Sequence, residues 1–437
     1  MAPPPDLAGE APKQRRIGLD LRPFRGSKDY RALFIAGFVG TIGEQGTYVV
    51  VPYQMKLLTG SVLDVGLLGA VEIVPLILFG ILGGALADAV DKRRMIIRTE
   101  AFMLLGTAGL LANASIGRPR VWVLFVAVIV FASADALQRP SLDSIVPRIV
   151  PHDQLAAASS LSTFRWTFGS IVGPIAGGTV AVAIGPSSWF AFDAATFAVT
   201  LLCFVALASS PPAVKQRPDL RHVFAGVGYA IRRRDLLGTY LIDFSAMLFA
   251  FPIALFPFLA SRYHNQFALG LLYAGLPIGA LLAAITSQWT ARVRHHGRAI
   301  VAAAVVWGLS VAAFGLANGL LVAVLALMVA GGADAISGMF RQTMWNASIP
   351  DEMRGRMAGI ELLSYSTGPE LGQLRSALVA SATSLRTSVV SGGLICAASC
   401  GALVALLPTM WRFDATTDPN VAEVRAQRAA ALDPPEH

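Results

Sequence analysis

The sequence predicts an all-α membrane protein with twelve transmembrane helices in two pseudo-symmetric six-helix halves. Of its 437 residues, 55% are hydrophobic and only 14% are charged, whereas a soluble domain carries about 25% charged residues. Apolar runs recur along the chain, each long enough to cross a bilayer as a helix of about 20 residues. Such runs are too long for the strands of a membrane barrel. Short motifs also recur at a fixed offset, which indicates two related halves.

Twelve apolar segments are predicted as spans, and one long polar loop divides them into six and six. The predicted spans are 33–57, 63–87, 95–115, 121–141, 156–184, 189–208, 236–260, 267–290, 299–317, 319–343, 355–380 and 387–409. The predicted organisation is an N-terminal tail (1–29), a six-helix bundle (30–208), a linker (209–235), a second bundle (236–410) and a C-terminal tail (411–437). The polar tail from Arg412 is expected to be disordered.

An internal repeat relates the two halves. The segment Ala134 to Ala136 recurs as Ala333 to Ala335, an offset of 199 residues, and Val150 to Asp153 recurs as Ile349 to Glu352 at the same offset. Two six-helix halves related by a parallel repeat are the layout of one large class of secondary transporters.

The distribution of basic residues predicts the orientation of the spans. With the spans above, 28 of the 35 Lys and Arg residues fall on one side of the membrane and five on the other. Basic loops stay in the cytoplasm, so both termini are predicted to be cytoplasmic in a multi-pass protein of the cell (inner or plasma) membrane. The net charge of +8 is then a topology signal, and no nucleic-acid partner is expected.

The turn between the second and third spans carries a recognisable motif. It reads Gly-Gly-Ala-Leu-Ala-Asp-Ala-Val-Asp-Lys-Arg-Arg from Gly83 to Arg94. It resembles the loop that the major facilitator superfamily has at this position. The matching residues are Gly84, Leu86, Asp88, Lys92 and Arg93, while Ala89 and Asp91 replace an Arg and a Gly of the family pattern. The resemblance implies the major facilitator fold, a monomer and a gating role for this loop.

A second motif, in the fifth span, resembles the family's antiporter motif, which is associated with exporters. Its residues are Gly169, Gly173, Pro174, Gly177 and Gly178. The spacing of four also places Gly169, Gly173 and Gly177 on one helix face, where another helix can approach closely. Close helix packing and a role in export require the same feature here, because a tight contact between helices limits leak.

Within the superfamily the chain is most similar to the enterobactin-exporter branch. Four segments carry this resemblance: Val51 to Met55, Leu271 to Ala280, Gln342 to Met344 and Ile349 to Arg356. The resemblance covers about residues 30 to 410 and implies proton-driven export of a siderophore or another small amphiphilic molecule. Multidrug efflux stays open, since drug exporters share most of these motifs, and import of a metabolite is a further alternative.

Ionisable residues inside spans are the candidate coupling and substrate sites, because each costs about 2.5–3.5 kcal/mol to insert. Glu44 in the first span and Asp243 in the seventh are separated by the repeat offset, and Asp135 and Asp334 in the fourth and tenth spans share it. In the family these four helices line the central cavity. We expect Glu44 and Asp243 to face that cavity and at least one of them to take up a proton. The structural alternative is a carboxylate paired with an Arg or capped by a hydroxyl.

Glu72, Glu370, Arg165 and Arg375 are further intramembrane candidates. A buried Arg would suit an acidic catecholate substrate, although an ion pair inside the bundle explains these residues as well. In the turn, Asp88 is expected to meet the N-terminus of the eleventh helix, and Lys92 and Arg93 to meet acids on neighbouring loops. Arg139 is a second possible partner of Asp88. The alternative is that the turn only sets topology.

Other function classes lack their motifs. The sequence has no paired intramembrane His, no nucleophile elbow and no phosphate-cradling Lys motif, so neither an enzyme nor a metal site is predicted. Cys396 and Cys400 are interpreted as small core residues. Without an ATP-binding motif, the expected energy source is a proton gradient, with no cofactor.

Overall fold

The computed structural model describes residues 20–207 and 233–432, without the side chains of 81–89, 351–352, 354–366 and 430–432. Twelve long α-helices make up most of this part of the chain. The first half consists of α1 (Lys28–Thr59), α2 (Val62–Ala89), α3 (Lys92–Ser115), α4 (Val121–Ile149), α5 (Leu155–Ala183) and α6 (Pro186–Val205). The second half consists of α7 (Arg234–Ala250), α8 (Ala268–Ile285), α9 (His296–Leu316), α10 (Leu320–Ser348), α11 (Asp351–Ala382) and α12 (Leu385–Leu406). Shorter helices cover Arg22–Gly26, Phe256–Ala260, Pro408–Trp411 and Pro419–Leu432.

The helices confirm the predicted all-α membrane fold. Eleven of them, with α7 counted through Tyr263, are long and apolar enough to cross a bilayer within the described ranges. The remaining one, α11, coincides with the predicted eleventh span and has 32 residues, a length of about 48 Å at 1.5 Å per residue. It packs against α2 and α7, so its polar residues have protein neighbours rather than lipid alone.

Each half is built from helices that pack mainly on one another. In the first half α1 packs on α5 and α6, and α4 packs on α2 and α3. In the second half α10 packs on α8 and α9, and α12 packs on α9 and α7. The halves meet mainly through two helix pairs, α2 with α11 and α5 with α8.

We call the face on which α1 begins the proximal face, and the face on which it ends the distal face. The halves touch closely near the distal face. A Cβ atom built on Gly178 of α5 would lie 2.6 Å from the backbone nitrogen of Gly270 in α8, and one built on Gly66 of α2 would collide with the Cβ of Ala377 in α11. These small residues allow backbones of opposite halves to approach directly.

The glycine row of α5 contacts α1, as a close-packing row should. A Cβ atom added at Gly169 would collide with the side chain of Thr41. Cβ atoms added at Gly173 and Gly177 would each come within 3.1 Å of backbone atoms of Gly46. Gly178 lies outside this row and faces the opposite half instead. The motif therefore supports two different contacts, one inside the first half and one between halves.

Helix α7 breaks at Pro252, and an arginine stabilises the break. The helix ends at Ala250 and continues as a 3-10 turn, Ile253–Leu255, into the helix Phe256–Ala260. Pro252 has no N–H group to donate, and the helix end leaves carbonyl groups without intrahelical partners. Arg375 of α11 donates from Nη1 to the carbonyl oxygen of Phe249 (2.7 Å). Its partner is thus a backbone carbonyl, rather than an acid or an anion.

The expectation of a disordered C-terminal tail was wrong for the residues up to 432. The helix Pro419–Leu432 packs on α10, with Val421 and Val424 buried, and Arg428 donates to the carbonyl oxygen of Asn346 (2.9 Å). The two valines are three residues apart and so share one helix face. The low overall hydrophobicity of the tail conceals this short apolar stripe.

Candidate transport site

Glu44 and Asp135 line two adjoining cavities inside the first half. One cavity extends towards the distal face, where Glu72 and Asp193 also line it. The other extends towards the proximal face. Its charged lining residues, besides Glu44 and Asp135, are Glu100, Asp143, Arg139 and Arg165. The side chain of Glu44 is exposed to this space. Asp243 was expected to face the same central cavity as Glu44, but it lines a different cavity, in the second half.

Acids outnumber bases around these two cavities. Among the described residues, six carboxyl groups line them, against two guanidinium groups, those of Arg139 and Arg165. Among the described residues no basic nitrogen lies within 4.0 Å of any of these six carboxyl groups. Ionised carboxylates without partners are costly away from water. Carboxyl groups in this arrangement are therefore expected to take up protons or to contact a hydrated or charged ligand.

The second half balances its acids with Arg341 of α10. The guanidinium contacts the carboxylate of Asp243 in α7 closely and lies 3.8 Å from that of Asp334. All three line one cavity with Met247, Phe251 and Trp307. Asp243 is thus an ion-paired residue in this conformation. The predicted tenth span ends at 343, close to Arg341. Helix α10 runs to Ser348, so the arginine lies well inside the helix.

Glu370 and Glu72 lie where α11 meets α2. Glu370 accepts a hydrogen bond from Gln373 Nε2 (2.7 Å), and its carboxylate sits directly against Gly69 of α2. Gln373 lines the distal cavity together with Glu72 and Tyr48. A helix of the second half therefore completes a cavity that otherwise belongs to the first.

Arg165 is the intramembrane cation of the first half. Its guanidinium packs against Gly37 of α1 and lines the proximal cavity with Glu44 and Trp166. Its Nε atom is buried without a hydrogen-bond partner. Because it forms no ion pair within 4.0 Å among the described residues, its charge is available to the cavity.

Two buried carboxyl groups were missed by sequence reasoning. Asp193 of α6 accepts from Thr47 Oγ1 (2.5 Å) and lies 3.2 Å from Thr196 Oγ1. Glu100 of α3 accepts from Gln138 Nε2 (2.8 Å) and contacts Thr200 Oγ1. Neither acid has a counterpart at the 199-residue offset, where Gly392 and Ala299 stand. The available signal was the presence of an acid within an apolar span.

The turn between α2 and α3 is described in part. Asp91 caps α3 by accepting from the backbone N–H of Arg94 (3.1 Å), and Lys92 is buried. Arg93 donates to the carbonyl oxygen of Val205, the last residue of α6, so its partner is a helix C-terminus rather than the expected acid. The predicted roles of Gly84, Leu86 and Asp88, including the contact of Asp88 with α11 or Arg139, lie outside the described side chains.

Comparison with known sequences identifies the family. A model of the transmembrane secretion effector family matches residues 20–432. The chain belongs to this family. The enterobactin exporter EntS of Citrobacter koseri is 28% identical over 371 residues, covering 84% of this chain and 89% of the relative. EntS of Escherichia coli K12 is 26% identical over 397 residues, covering 90% and 94%.

Solved structures place this secretion effector in the major facilitator fold. The nucleoside transporter NupG superposes with a TM-score of 0.72 at 15% identity and covers 89% of this chain and all of its own. A POT family transporter in complex with 5-aminolevulinic acid gives a TM-score of 0.71 at 11% identity, with 88% and 97% covered. Identities this low establish the fold alone. Together with the family match, they make the chain a multi-pass membrane transporter of small molecules and not an enzyme.

Proposed function

We propose that this protein is a secondary active exporter of a small amphiphilic molecule, driven by proton antiport through alternating access. The two acid-lined cavities of the first half carry this proposal. Six carboxyl groups line them, with two arginines among the described residues. Carboxyl groups that exchange protons with water supply the means to couple transport to a proton gradient. The names of the curated relatives support export as the direction of transport.

A siderophore of the enterobactin type is the proposed substrate. Relatives that carry this name align over most of the chain. The proximal cavity combines the guanidinium of Arg165 with the exposed indole of Trp166, and an arginine beside an aromatic surface suits acidic, aromatic catecholate groups. The cavity of the second half adds Phe251 and Trp307 beside Arg341.

The proposed orientation places the proximal face in the cytoplasm. It rests on the excess of Lys and Arg on that face. The described contacts between the halves that involve Gly178, Gly66 and Lys56 lie near the distal face. With this orientation, the conformation is closed towards the outside, and Glu44 would be loaded from the cytoplasmic side.

Export of a siderophore is tested by deleting the gene, starving the cells of iron and comparing secreted small molecules by mass spectrometry with the parent strain. We expect a siderophore to disappear from the medium and accumulate inside the cells. Complementation with the wild-type gene should restore secretion, and complementation with Glu44→Gln should not. Unchanged secretion of every catecholate, in a strain that makes one, would contradict the proposed substrate.

Multidrug efflux is the second candidate, and the excess of acids around Glu44 and Asp135 favours it, because such a cavity suits a cationic amphiphile. The same deletion strain distinguishes the two functions. If secretion is unchanged while sensitivity to several unrelated cationic drugs rises, efflux of drugs replaces siderophore export.

Proton coupling is tested in liposomes containing the purified protein. An imposed pH gradient should drive accumulation of enterobactin, and an uncoupler should abolish it. Glu44→Gln should lose the substrate-dependent proton movement. Transport by Glu44→Gln that still follows the gradient would remove this residue from the coupling mechanism.

A further inference from the structure

We propose that Asp193 and Glu100 form a proton-storage site in the buried walls of the two cavities of the first half, distinct from the exposed carboxyl group of Glu44. This inference rests on the proposed proton antiport. Both acids lie on helices behind α1 and α4, and their exposed fractions are 0% and 4%. Glu44, by contrast, is open to the cavity. The two groups of acids therefore differ in access to a bound molecule.

The two carboxyl groups have similar hydrogen-bond arrangements. One oxygen of each accepts from a side chain on another helix: Oδ2 of Asp193 from the hydroxyl of Thr47 on α1, and Oε2 of Glu100 from the amide of Gln138 on α4. The other oxygen of each faces a threonine hydroxyl on α6, that of Thr196 or Thr200. Among the described residues neither carboxyl group has a basic side chain within 4.0 Å.

Counting hydrogens shows why this arrangement suits a carboxylic acid. A threonine hydroxyl has one proton to donate. The hydroxyl of Thr196 lies 2.8 Å from the carbonyl oxygen of Asp193, and that of Thr200 lies 2.9 Å from the carbonyl oxygen of Phe197. When each hydroxyl donates to its helix carbonyl, the facing carboxyl oxygen must bring its own proton. The protonated acid then satisfies every group in the cluster.

The same atoms also accommodate the ionised acid. When the proton leaves, the hydroxyl of Thr196 or Thr200 can turn from its helix carbonyl to the carboxylate and donate to it instead. The fully buried Thr107 of α3 lies beside Asp193. Its hydroxyl has no other partner among the described residues, so it can donate one further hydrogen bond to the ionised acid. Each site can thus change protonation state through hydroxyl rotation, without displacement of a helix.

Both storage acids reach the charged groups of the cavity. Asp193 shares the distal cavity with Glu44 and Asp135, and Glu100 shares the proximal cavity with the same two residues. Protons can pass between them through water in these spaces. The charged groups that surround the pair are Glu44 on α1, Glu72 on α2, Asp135, Arg139 and Asp143 on α4, and Arg165 on α5.

The storage site is mechanically linked to α1. Asp193 packs against Gly43, where an added Cβ would collide with its carboxylate, and Thr200 packs against Gly40. Thr47, one turn after Glu44, donates a hydrogen bond of 2.5 Å to Asp193. A change of charge at Asp193 therefore acts directly on the helix that presents Glu44 to the cavity.

Infrared spectroscopy tests the storage site without any substrate. The full-length protein in phosphatidylethanolamine and phosphatidylglycerol vesicles should show a carbonyl-stretch band of protonated carboxylic acid at neutral pH, and the band should shift in D₂O. Asp193→Asn and Glu100→Gln should each remove part of it. Asp64→Asn, at the distal start of α2, should leave it unchanged. An identical band in both storage variants, or no such band in the wild type, would overturn the proposal.

A third variant distinguishes proton storage from a structural role and remains informative if Asp193→Asn fails to fold. Thr196→Val keeps the carboxyl group and removes the hydroxyl that would accept a hydrogen bond from the protonated acid. The infrared band of Asp193 should then shift in frequency, because its hydrogen bond is lost. An unshifted band in folded protein would contradict the hydrogen-bond arrangement on which the proposal rests.

Transport supplies the second measurement. Liposomes containing Asp193→Asn or Glu100→Gln should lose the accumulation of enterobactin that a pH gradient drives. Accumulation that persists in both variants would overturn proton storage. If the wild type itself shows no accumulation with the gradient, the proposed antiport fails instead, and the infrared result still decides the state of these acids.

Discussion

The ammonium group of Lys56, at the distal end of α1, donates a hydrogen bond of 2.9 Å to the carbonyl oxygen of Pro257 in the other half. It also contacts the hydroxyl of Ser261 and lies 5.5 Å from the ring centre of Phe258. One side chain of the first half thus satisfies backbone and hydroxyl oxygens that follow the break in α7. This contact joins the halves where they close the distal face.

Replacing Lys56 by Met should open the distal face more often. A hydrogen bond to a charged group contributes about 1.5–3 kcal/mol, so loss of this contact should raise the population of the open state by about tenfold or more. Val51, which lines the distal cavity, reports the change when replaced by Cys and labelled with a membrane-impermeant maleimide. Arg118→Met, which removes another distal charge, should leave the labelling rate unaltered. A rate in Lys56→Met equal to that of the control would refute the closing role.

The contact between Gly178 and Gly270 should tolerate no added methyl group. A Cβ at Gly270 would lie 2.5 Å from the carbonyl oxygen of Pro174 and 2.6 Å from the Cα of Ile175, and backbone atoms cannot move aside as a side chain can. Gly270→Ala should therefore lower thermal stability by about 1–3 kcal/mol and reduce transport. Gly109→Ala, with open space around its Cβ, should instead be neutral or slightly stabilising. Equal effects of the two substitutions would disprove the packing argument.

Removal of Arg341 should cost more than removal of either acid beside it. The side chains of Arg341 and Asp243 are 12% and 10% exposed, and breaking a buried ion pair costs about 3–5 kcal/mol. Arg341→Gln leaves two carboxylates without a cation, whereas Asp243→Asn leaves the arginine with Asp334. The double variant should recover most of the loss, as thermal unfolding in detergent can measure. Additive losses would show that the three groups do not act together.

We expect both Arg375→Leu and Arg375→Lys to lower the thermal stability of the protein. Leu leaves the carbonyl oxygen of Phe249 without its partner at the break of α7, which costs about 1–3 kcal/mol. Lys keeps the charge but lacks the fork of the guanidinium, so it should recover only part of that amount. Thermal unfolding of both variants measures these losses. Wild-type stability in Arg375→Leu would show that the carbonyl needs no side-chain partner.

The architecture was predictable because repeat offset and span length are properties of the chain itself. The 199-residue offset relates Glu44 to Asp243 and Asp135 to Asp334. Glu44 and Asp135 line two cavities in the first half, and Asp243 and Asp334 line one cavity in the second. What each acid contacts there depends on packing. Arg341 lies beside both acids of the second half, while among the described residues no arginine lies within 4.0 Å of Glu44 or Asp135. Sequence spacing carries no information on such differences between related halves.

Single positions were harder to predict for two physical reasons. Asp193 and Glu100 owe their environment to hydroxyl and amide groups on other helices, which no local pattern reveals. Helix ends shift by several residues from the apolar segments that predict them, because a helix continues into the polar interface. Arg341 lies two residues before the predicted end of its span but seven residues before the end of α10. The C-terminal helix was missed because its apolar stripe consists of two valines, Val421 and Val424.

The docked helix Pro419–Leu432 has a practical consequence for experiments on this transporter. Val421 and Val424 hold it against the bundle, and Arg428 ties it to the end of α10. A fluorescent reporter or an affinity tag fused directly after residue 432 would pull on this helix and on α10, which carries Arg341. Fusions are better attached before Asp20, or through a long flexible spacer at the other end.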